Sequence, residues 1–300
     1  MSKTVISADS VSLPLPKARE HGFTLIPCPI AMDRKQYLDT ELDMESLYER
    51  LDTRQNLPKT SAVNVDRFLE HFLQTGTVAD SILHIAMSSV FSPQYSHALK
   101  ASELARDKLP DKRIEVIDSR TIGIGVHLIA IIAGEAARKG KKLDEIIDVI
   151  NNTLPGLREL TARDTLFYYD KGGRIFEARS WAEAEVATSF RSIIEVDPRT
   201  EGAVKPVARA RTIAQIISRL VEITRETCSG ELKGAIGYTR GAVERAEMLR
   251  ETLVNELQFG WLHIAEESAS VAIHNGRGCI SYAFCSQRAG SRNSVFKEIF

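Results

Sequence analysis

Short apolar runs of strand length alternate with helix-period patterns along this chain, and that alternation constrains the fold more than any other feature. Thr4-Val5-Ile6, Ile82-Leu83-His84-Ile85-Ala86 and Ile114-Glu115-Val116-Ile117 are the runs. Between them, Val65, Phe68, Leu69, Phe72 and Leu73 recur at i, i+3, i+4, i+7 and i+8 after Asn64, which predicts an amphipathic helix with Gly76 past its end. A second pattern after Ser92 turns Tyr95, Ala98, Leu104 and Ala105 inward and stops before Pro110. Strand, helix, strand, helix in this order implies βα units on a largely parallel, Rossmann-like sheet, so the fold class is α/β. A third helix follows Asp118-Ser119 and carries Gly123 and Gly125; a fourth runs from Asp144 to Leu154 with Ile146, Ile147 and Ile150 inward.

A chain of 300 residues is long for one core and natural for two. Pro155-Gly156 breaks the pattern, which places a first α/β domain at 1–156 and a second at 157–285. The second half reads as a strand around Asp164 to Tyr169, a turn Lys171-Gly172-Gly173-Arg174, a hairpin of Ser192–Val196 with Ala203–Ala208, and helices over 212–227 and 242–257 flanking a strand Gly234–Tyr238. Residues 286–300 lose periodicity; this tail, with Val295, Phe296, Ile299 and Phe300, is given no function.

The charge balance excludes several classes of partner. With 39 basic and 40 acidic residues the formal net charge is -1, and there is no basic field for nucleic acid or an anionic membrane surface. The four cysteines, Cys28, Cys228, Cys279 and Cys285, form no CxxC pair and sit at no zinc spacing, which fits free thiols in a reducing compartment, with no metal and no cofactor. The N-terminal residues lack a signal-peptide h-region, so a cytoplasmic location is expected. The longest apolar stretch, Ile122 to Ala137, is interrupted by Gly, His127 and Glu135 and is shorter than the ~20 residues that cross a bilayer, so it reads as a buried core helix rather than a membrane insertion.

Hydroxyl side chains gather in two segments, Pro58-Lys59-Thr60-Ser61 and Ser88-Ser89-Val90-Phe91-Ser92, each followed by a helix pattern. A helix N-terminus offers unpaired N–H groups and partial positive charge, so hydroxyls there suit a carboxylate or phosphate. The same residue types also serve as ordinary N-caps and loop-shaping groups.

Taken in order, these segments resemble the DegV family of bacterial fatty-acid-binding proteins over nearly the whole chain. Asp9-Ser10-Val11-Ser12-Leu13-Pro14 is similar to the family's DSxxDLP opening, and Ile26-Pro27 with Tyr37-Leu38-Asp39 to its second strand and turn. Pro58-Lys59-Thr60-Ser61 resembles PKTSQPS, and Ser88-Ser89-Val90-Phe91-Ser92 resembles SSxLSGTY. Asp118-Ser119 with Gly123 and Gly125, Lys171-Gly172-Gly173-Arg174-Ile175 and His274-Asn275-Gly276-Arg277-Gly278 complete the series. The chain departs from the family at Ala62-Val63-Asn64, where the family has QPS, at Pro93-Gln94-Tyr95, where it has GTY, and at Arg191-Ser192-Ile193-Ile194-Glu195, where it has IKPIL.

The resemblance implies two α/β domains enclosing one long-chain fatty acid such as palmitate, stearate or oleate. It further implies that the acid is presented to a separate ATP-dependent fatty acid kinase subunit, which makes the acyl phosphate; this chain would be an acyl carrier and not the catalyst. Thr60, Ser92 and His274 match the residues that hold the carboxylate, and Arg174 matches an arginine near the same mouth. Ser61, Ser88, Ser89 and Gly276 would be supporting or partner-facing.

The energetics of such a carrier divide between tail and head. At ~0.8 kcal/mol per buried methylene, a sixteen-carbon tail gains roughly 11 kcal/mol before association costs. Each charge-assisted bond to the carboxylate adds about 1.5–3 kcal/mol. An enzyme of its own right is the alternative, a kinase-like or other small-molecule enzyme, but no GxxxxGK[ST] loop or GxSxG elbow occurs, and Gly123-Ile124-Gly125 lacks the third glycine of a dinucleotide fingerprint. A ligand-free regulatory module would show a collapsed interdomain cleft.

Overall fold

The protein is described by a computed structural model, which covers residues 3–10, 15–188 and 190–286. Val11 to Pro14 of the opening motif and the tail from 287 onward lie outside the described residues.

The first layer runs β1 (Thr4–Asp9), α1 (Leu15–Glu20), β2 (Phe23–Ile26), β3 (Pro29–Met32), β4 (Lys35–Leu38), α2 (Met44–Asp52), β5 (Lys59–Thr60), α3 (Val65–Gly76), β6 (Ser81–Ala86), α4 (Gln94–Lys108) and β7 (Arg113–Asp118). Among the described residues β2-β1-β6-β7 form a wholly parallel sheet, with Ile6 beside Leu83 and Ile85 beside Ile117. A small antiparallel sheet, β4-β3-β5, carries Thr60 opposite Ile30.

Next come α5 (Gly123–Arg138) and α6 (Leu143–Thr153), followed by β8 (Arg158–Arg163), α7 (Phe167–Lys171), α8 (Arg179–Thr188), β9 (Arg191–Glu195) and β10 (Lys205–Ala210). The described chain finishes with α9 (Ile213–Thr227), β11 (Leu232–Tyr238), α10 (Val243–Glu256), β12 (Phe259–Glu266), α11 (Ala269–Asn275) and β13 (Ile280–Ser286). Here the sheet order is β10-β9-β8-β13-β11-β12; only β11 and β12 run parallel.

Helix α5 explains how the two layers share one interior. Ile124, Leu128, Ile129 and Ile131 have no exposed surface, because one flank packs on β1, β2 and β6 and the other on β11, β13 and β8. An apolar helix of this kind is stable only when it is covered all round. The layers are also latched by polar contacts. Ser88 donates to the Gly202 carbonyl at 2.9 Å and Thr121 to the Val196 carbonyl at 3.0 Å. Gly202 has φ +78, and a Cβ there would lie 2.2 Å from the Ser88 hydroxyl, so the latch requires glycine.

The observed elements correct several expectations. Asp164 to Tyr169 is not a strand: the strand lies earlier, at β8, and Phe167 already begins α7, which is too short to show helical periodicity in the sequence. Leu104 points outward, while Ala101 and Ser102 join Ala98 and Ala105 against the sheet. Gly76 is the buried last residue of α3 rather than a residue beyond it. The expected hairpin is present as β9 and β10, antiparallel and joined through a 3-10 turn at Pro198–Thr200.

Candidate ligand-binding cleft

The loops that follow the parallel strands converge, together with β5 of the small antiparallel sheet, on one cleft, the position where open α/β sheets bind ligands. Cys28 lies beyond β2, Thr60, Ser61 and Ala62 at and after β5, Met87 after β6, Phe91, Ser92 and Gln94 at the start of α4, and Ile122 and Gly123 at the start of α5. Tyr169 of α7 and Arg174 in the turn after it, with Ser270, Val271, His274 and Asn275 of α11, close it from the opposite layer. The space is about 540 Å³, counting the part open to solvent. Met87, Phe91, Ile122, Tyr169 and Val271 make much of its wall apolar, with the rings of Phe91 and Tyr169 edge-on at 6.2 Å.

Thr60 and His274, 214 residues apart in sequence, meet here: Thr60 Oγ1 and His274 Nε2 are 2.9 Å apart. The rest of the ring constrains its tautomer. Nδ1 is buried without a hydrogen-bond partner among the described residues and packs against Gly172, where a Cβ would approach it to 2.9 Å. A buried N–H without an acceptor is more costly than an unused lone pair, so we assign the hydrogen to Nε2. His274 then donates to Thr60 Oγ1, and the Thr60 hydroxyl hydrogen is left to donate to whatever enters the cleft. Burial, aided by Arg174 and Arg163, pushes the His274 pKa down to about 3, so the ring is a neutral donor at physiological pH.

Ser92 accepts from the Gln94 N–H at 3.4 Å. Arg174 donates to the Gly172 carbonyl at 2.8 Å and lines both this cleft and an outer hollow of about 1040 Å³, open to solvent. Arg54, Lys59, Lys171 and Arg174 line that outer hollow together with Thr60 and His274, and among the described residues no carboxylate does. The Thr60–His274 pair is therefore the shared wall between a mostly apolar inner space and a cationic vestibule, an arrangement that can hold an anionic head with its apolar tail pointing inward.

Of the other expected site residues, Ser61 lines the cleft, but Ser88, Ser89 and Gly276 do not. Ser88 serves the latch to Gly202, and Ser89 donates to Asp118 Oδ2 at 2.6 Å. Gly276, at φ 70 and ψ -169, sits where a Cβ would lie 2.2 Å from the Tyr168 ring. It thereby allows the chain after α11 to pass close to α7, which holds His274 near Arg174. The helix-terminus idea also needs correction for Thr60. That residue lies on β5, and α3 is capped by its own Asn64, whose side chain accepts from the Arg67 N–H at 3.0 Å.

Sequence reasoning missed Cys28, Gln94, Tyr169 and Ser270. Cys28 donates to the Ser61 carbonyl at 3.2 Å, and burial first, then Asp39 and Asp9, push its thiol well above the ordinary range, so it stays protonated. Asp39 holds this side of the cleft: it accepts from Ser10 at 2.6 Å, Ser270 at 2.9 Å and the Cys28 N–H at 2.9 Å, while burial raises its pKa to about 6. The only hint of this in the sequence was the Tyr37-Leu38-Asp39 segment. Ser7, His84 and Asp9 also lie in line, Ser7 hydrogen-bonded to His84 at 3.0 Å and Asp9 Oδ1 3.3 Å from His84 Nε2 without a hydrogen bond, but all three residues are wholly buried in β1 and β6.

An α/β fold with a parallel sheet, a second mixed sheet, and an amphipathic cleft at the strand ends is the class that fold and site define. Comparison with known proteins gives the particular family. A family model described as "Uncharacterised protein, DegV family" matches residues 3–287, so the chain belongs to the DegV family. It is similar to a DegV domain-containing protein of Clostridium perfringens, 25% identical over 288 residues that cover 95% of this chain and 99% of the relative. In structure it resembles a DegV family protein of Thermus thermophilus described for its fatty acid binding (19% identity, TM-score 0.84, covering 95% and 99% of the two chains). It also resembles a DegV family protein of Eubacterium eligens loaded with heptadecanoic acid (18% identity, TM-score 0.81, 95% and 100%). Among the described residues no helix is long and apolar enough to cross a membrane.

Proposed function

We propose that this protein binds one long-chain fatty acid, with palmitate, stearate or oleate as candidates. The carboxylate is held by Thr60 and Ser92 and, through its bond to Thr60, by His274; the tail lies along the apolar wall of the cleft, and Arg174 sits at the mouth. The loops of residues 1–156 hold the head group, and residues 157–285 cover the chain. The acid is then presented to a separate ATP-dependent kinase that forms the acyl phosphate, so that this protein acts as a cytoplasmic carrier rather than as the catalyst.

The observation that carries this reading is the Thr60–His274 hydrogen bond at 2.9 Å, standing between the apolar cleft and a vestibule lined by four cations. The fatty acid loaded in the Eubacterium eligens relative supports the ligand class. Native mass spectrometry of the purified protein, followed by denaturation and lipid identification, tests it. A stoichiometric C14 to C18 acid is expected; a chain that arrives empty and takes up neither palmitate nor oleate refutes the carrier reading. The kinase step is tested separately, by following acyl phosphate formation when the loaded protein is mixed with an ATP-dependent kinase.

A further inference from the structure

Gln94 is the first residue of α4 and lines the cleft, and 1% of its surface is exposed. Its two amide ends have different fates. Oε1 accepts from the Val63 N–H at 3.2 Å and lies 3.7 Å from the Cys28 sulfur. That pairing fixes the orientation of the amide, because exchanging O and N would set a donor against the Val63 N–H. Nε2 is consequently committed to the other direction, and it is buried with no acceptor among the described residues.

A buried amide NH₂ without an acceptor is rarely left so in a native protein unless a water or a ligand satisfies it. Ser61, Ala62, Ser92 and Cys28 line the cleft around this group, on the wall that adjoins Thr60. None of them competes for the NH₂: the Ser61 carbonyl already accepts from Cys28, and Ser92 accepts from the Gln94 backbone N–H.

We propose that Gln94 is a ligand-binding residue whose Nε2 donates to the carboxylate of the bound acid, adding a donor fixed by the Val63 backbone to the Thr60 hydroxyl that His274 orients. This rests on the fatty-acid reading above and extends it to the head group. Such a donor favours an anionic or carbonyl-bearing head over an uncharged alcohol with the same tail.

The test replaces Gln94 by glutamate, which keeps an acceptor for the Val63 N–H and nearly the same shape but sets a carboxylate where the amide donor was. Delipidated full-length protein is titrated with oleate and with oleyl alcohol at pH 8. Oleate is expected to bind Gln94→Glu on the order of 10- to 100-fold more weakly, with oleyl alcohol changed much less. Equal affinity of parent and variant for oleate, or equal loss of both ligands, overturns the assignment and leaves Gln94 as a tether for the loop after β5. A parent protein that binds neither ligand overturns the functional reading, and this assignment with it. Should the variant not fold, the side-chain amide resonances of Gln94 in the parent decide the matter: they shift strongly on adding oleate if the proposal holds, and an unmoved pair refutes it.

Discussion

Replacing Thr60 by valine removes one hydroxyl while keeping the branched shape of the side chain, and its consequences separate into two measurable parts. In the free protein the loss strands the His274 Nε2–H, which donates to Thr60 Oγ1 at 2.9 Å. Leaving a partly buried donor unmet costs about 1–2 kcal/mol. For a chain of 300 residues that corresponds to a fall in Tm of roughly 2–3 °C. In the complex, the carboxylate loses the one hydrogen that the His274 pairing directs outward. A charge-assisted bond of about 1.5–3 kcal/mol translates to roughly 10- to 150-fold weaker binding. Urea denaturation of delipidated protein gives the first number, and displacement of a fluorescent fatty acid gives the second. A Thr60→Val protein that loses stability but binds oleate within about twofold of the parent would show that the hydroxyl serves only His274, and the head-group assignment would fall.

Three further outcomes follow from the same geometry. Gly276→Ala, at φ 70 with its Cβ 2.2 Å from the Tyr168 ring, should destabilise by about 3 kcal/mol or more and weaken binding through displacement of α11, read by melting and ligand titration. Arg174→Ala, which removes one of four cations around the vestibule, should slow transfer to a kinase more than it weakens lipid binding; equal loss of both would make Arg174 a ligand or folding residue. Stability should also fall as pH rises above ~6.5, while below that value histidines and carboxyls contribute in opposite senses. Burial depresses His71 to about 4 and His274 to about 3, so below pH ~6.5 the unfolded chain takes up protons that the folded chain refuses, and the histidines' contribution to stability falls as pH drops, by about 3 kcal/mol from His71 by pH 4. Burial raises Asp39 to about 6, Asp197 to about 7 and Glu267 to about 8, so on the other limb stability falls as pH rises from ~4 through those values. Denaturant midpoints across pH 4 to 9 check both limbs, and a flat profile refutes the burial of these groups.

Residues with a regular period, or joined by a short turn, were legible in the sequence. Phe68 and Phe72 recur at helical spacing and do face the core together, Asn64 caps the helix they belong to, and β9 and β10 pair across the loop expected to join them. Local sequence determines such features because the interactions that decide them, an N-cap bond or a hairpin, span a few residues. The ordered motifs likewise pointed to the DegV family, and to Thr60, Ser92, Arg174 and His274, which line one cleft. Helix α7 escaped because it is only five residues long, and β12 and β13 because their pattern is set by the layers that cover them.

What only tertiary structure decided is which polar atoms are spent and which are free. Ser88, Ser89, Ser92 and Thr60 look alike in sequence, yet Ser88 is used by Gly202 and Ser89 by Asp118, while Thr60 has its oxygen taken by His274 and its hydrogen released. Gln94 reads as an ordinary first-turn residue until the Val63 N–H fixes its carbonyl and leaves its NH₂ buried against the cleft. A side chain's chemistry is written in its residue type, but its availability depends on partners brought close by the fold from 29 to 214 residues away.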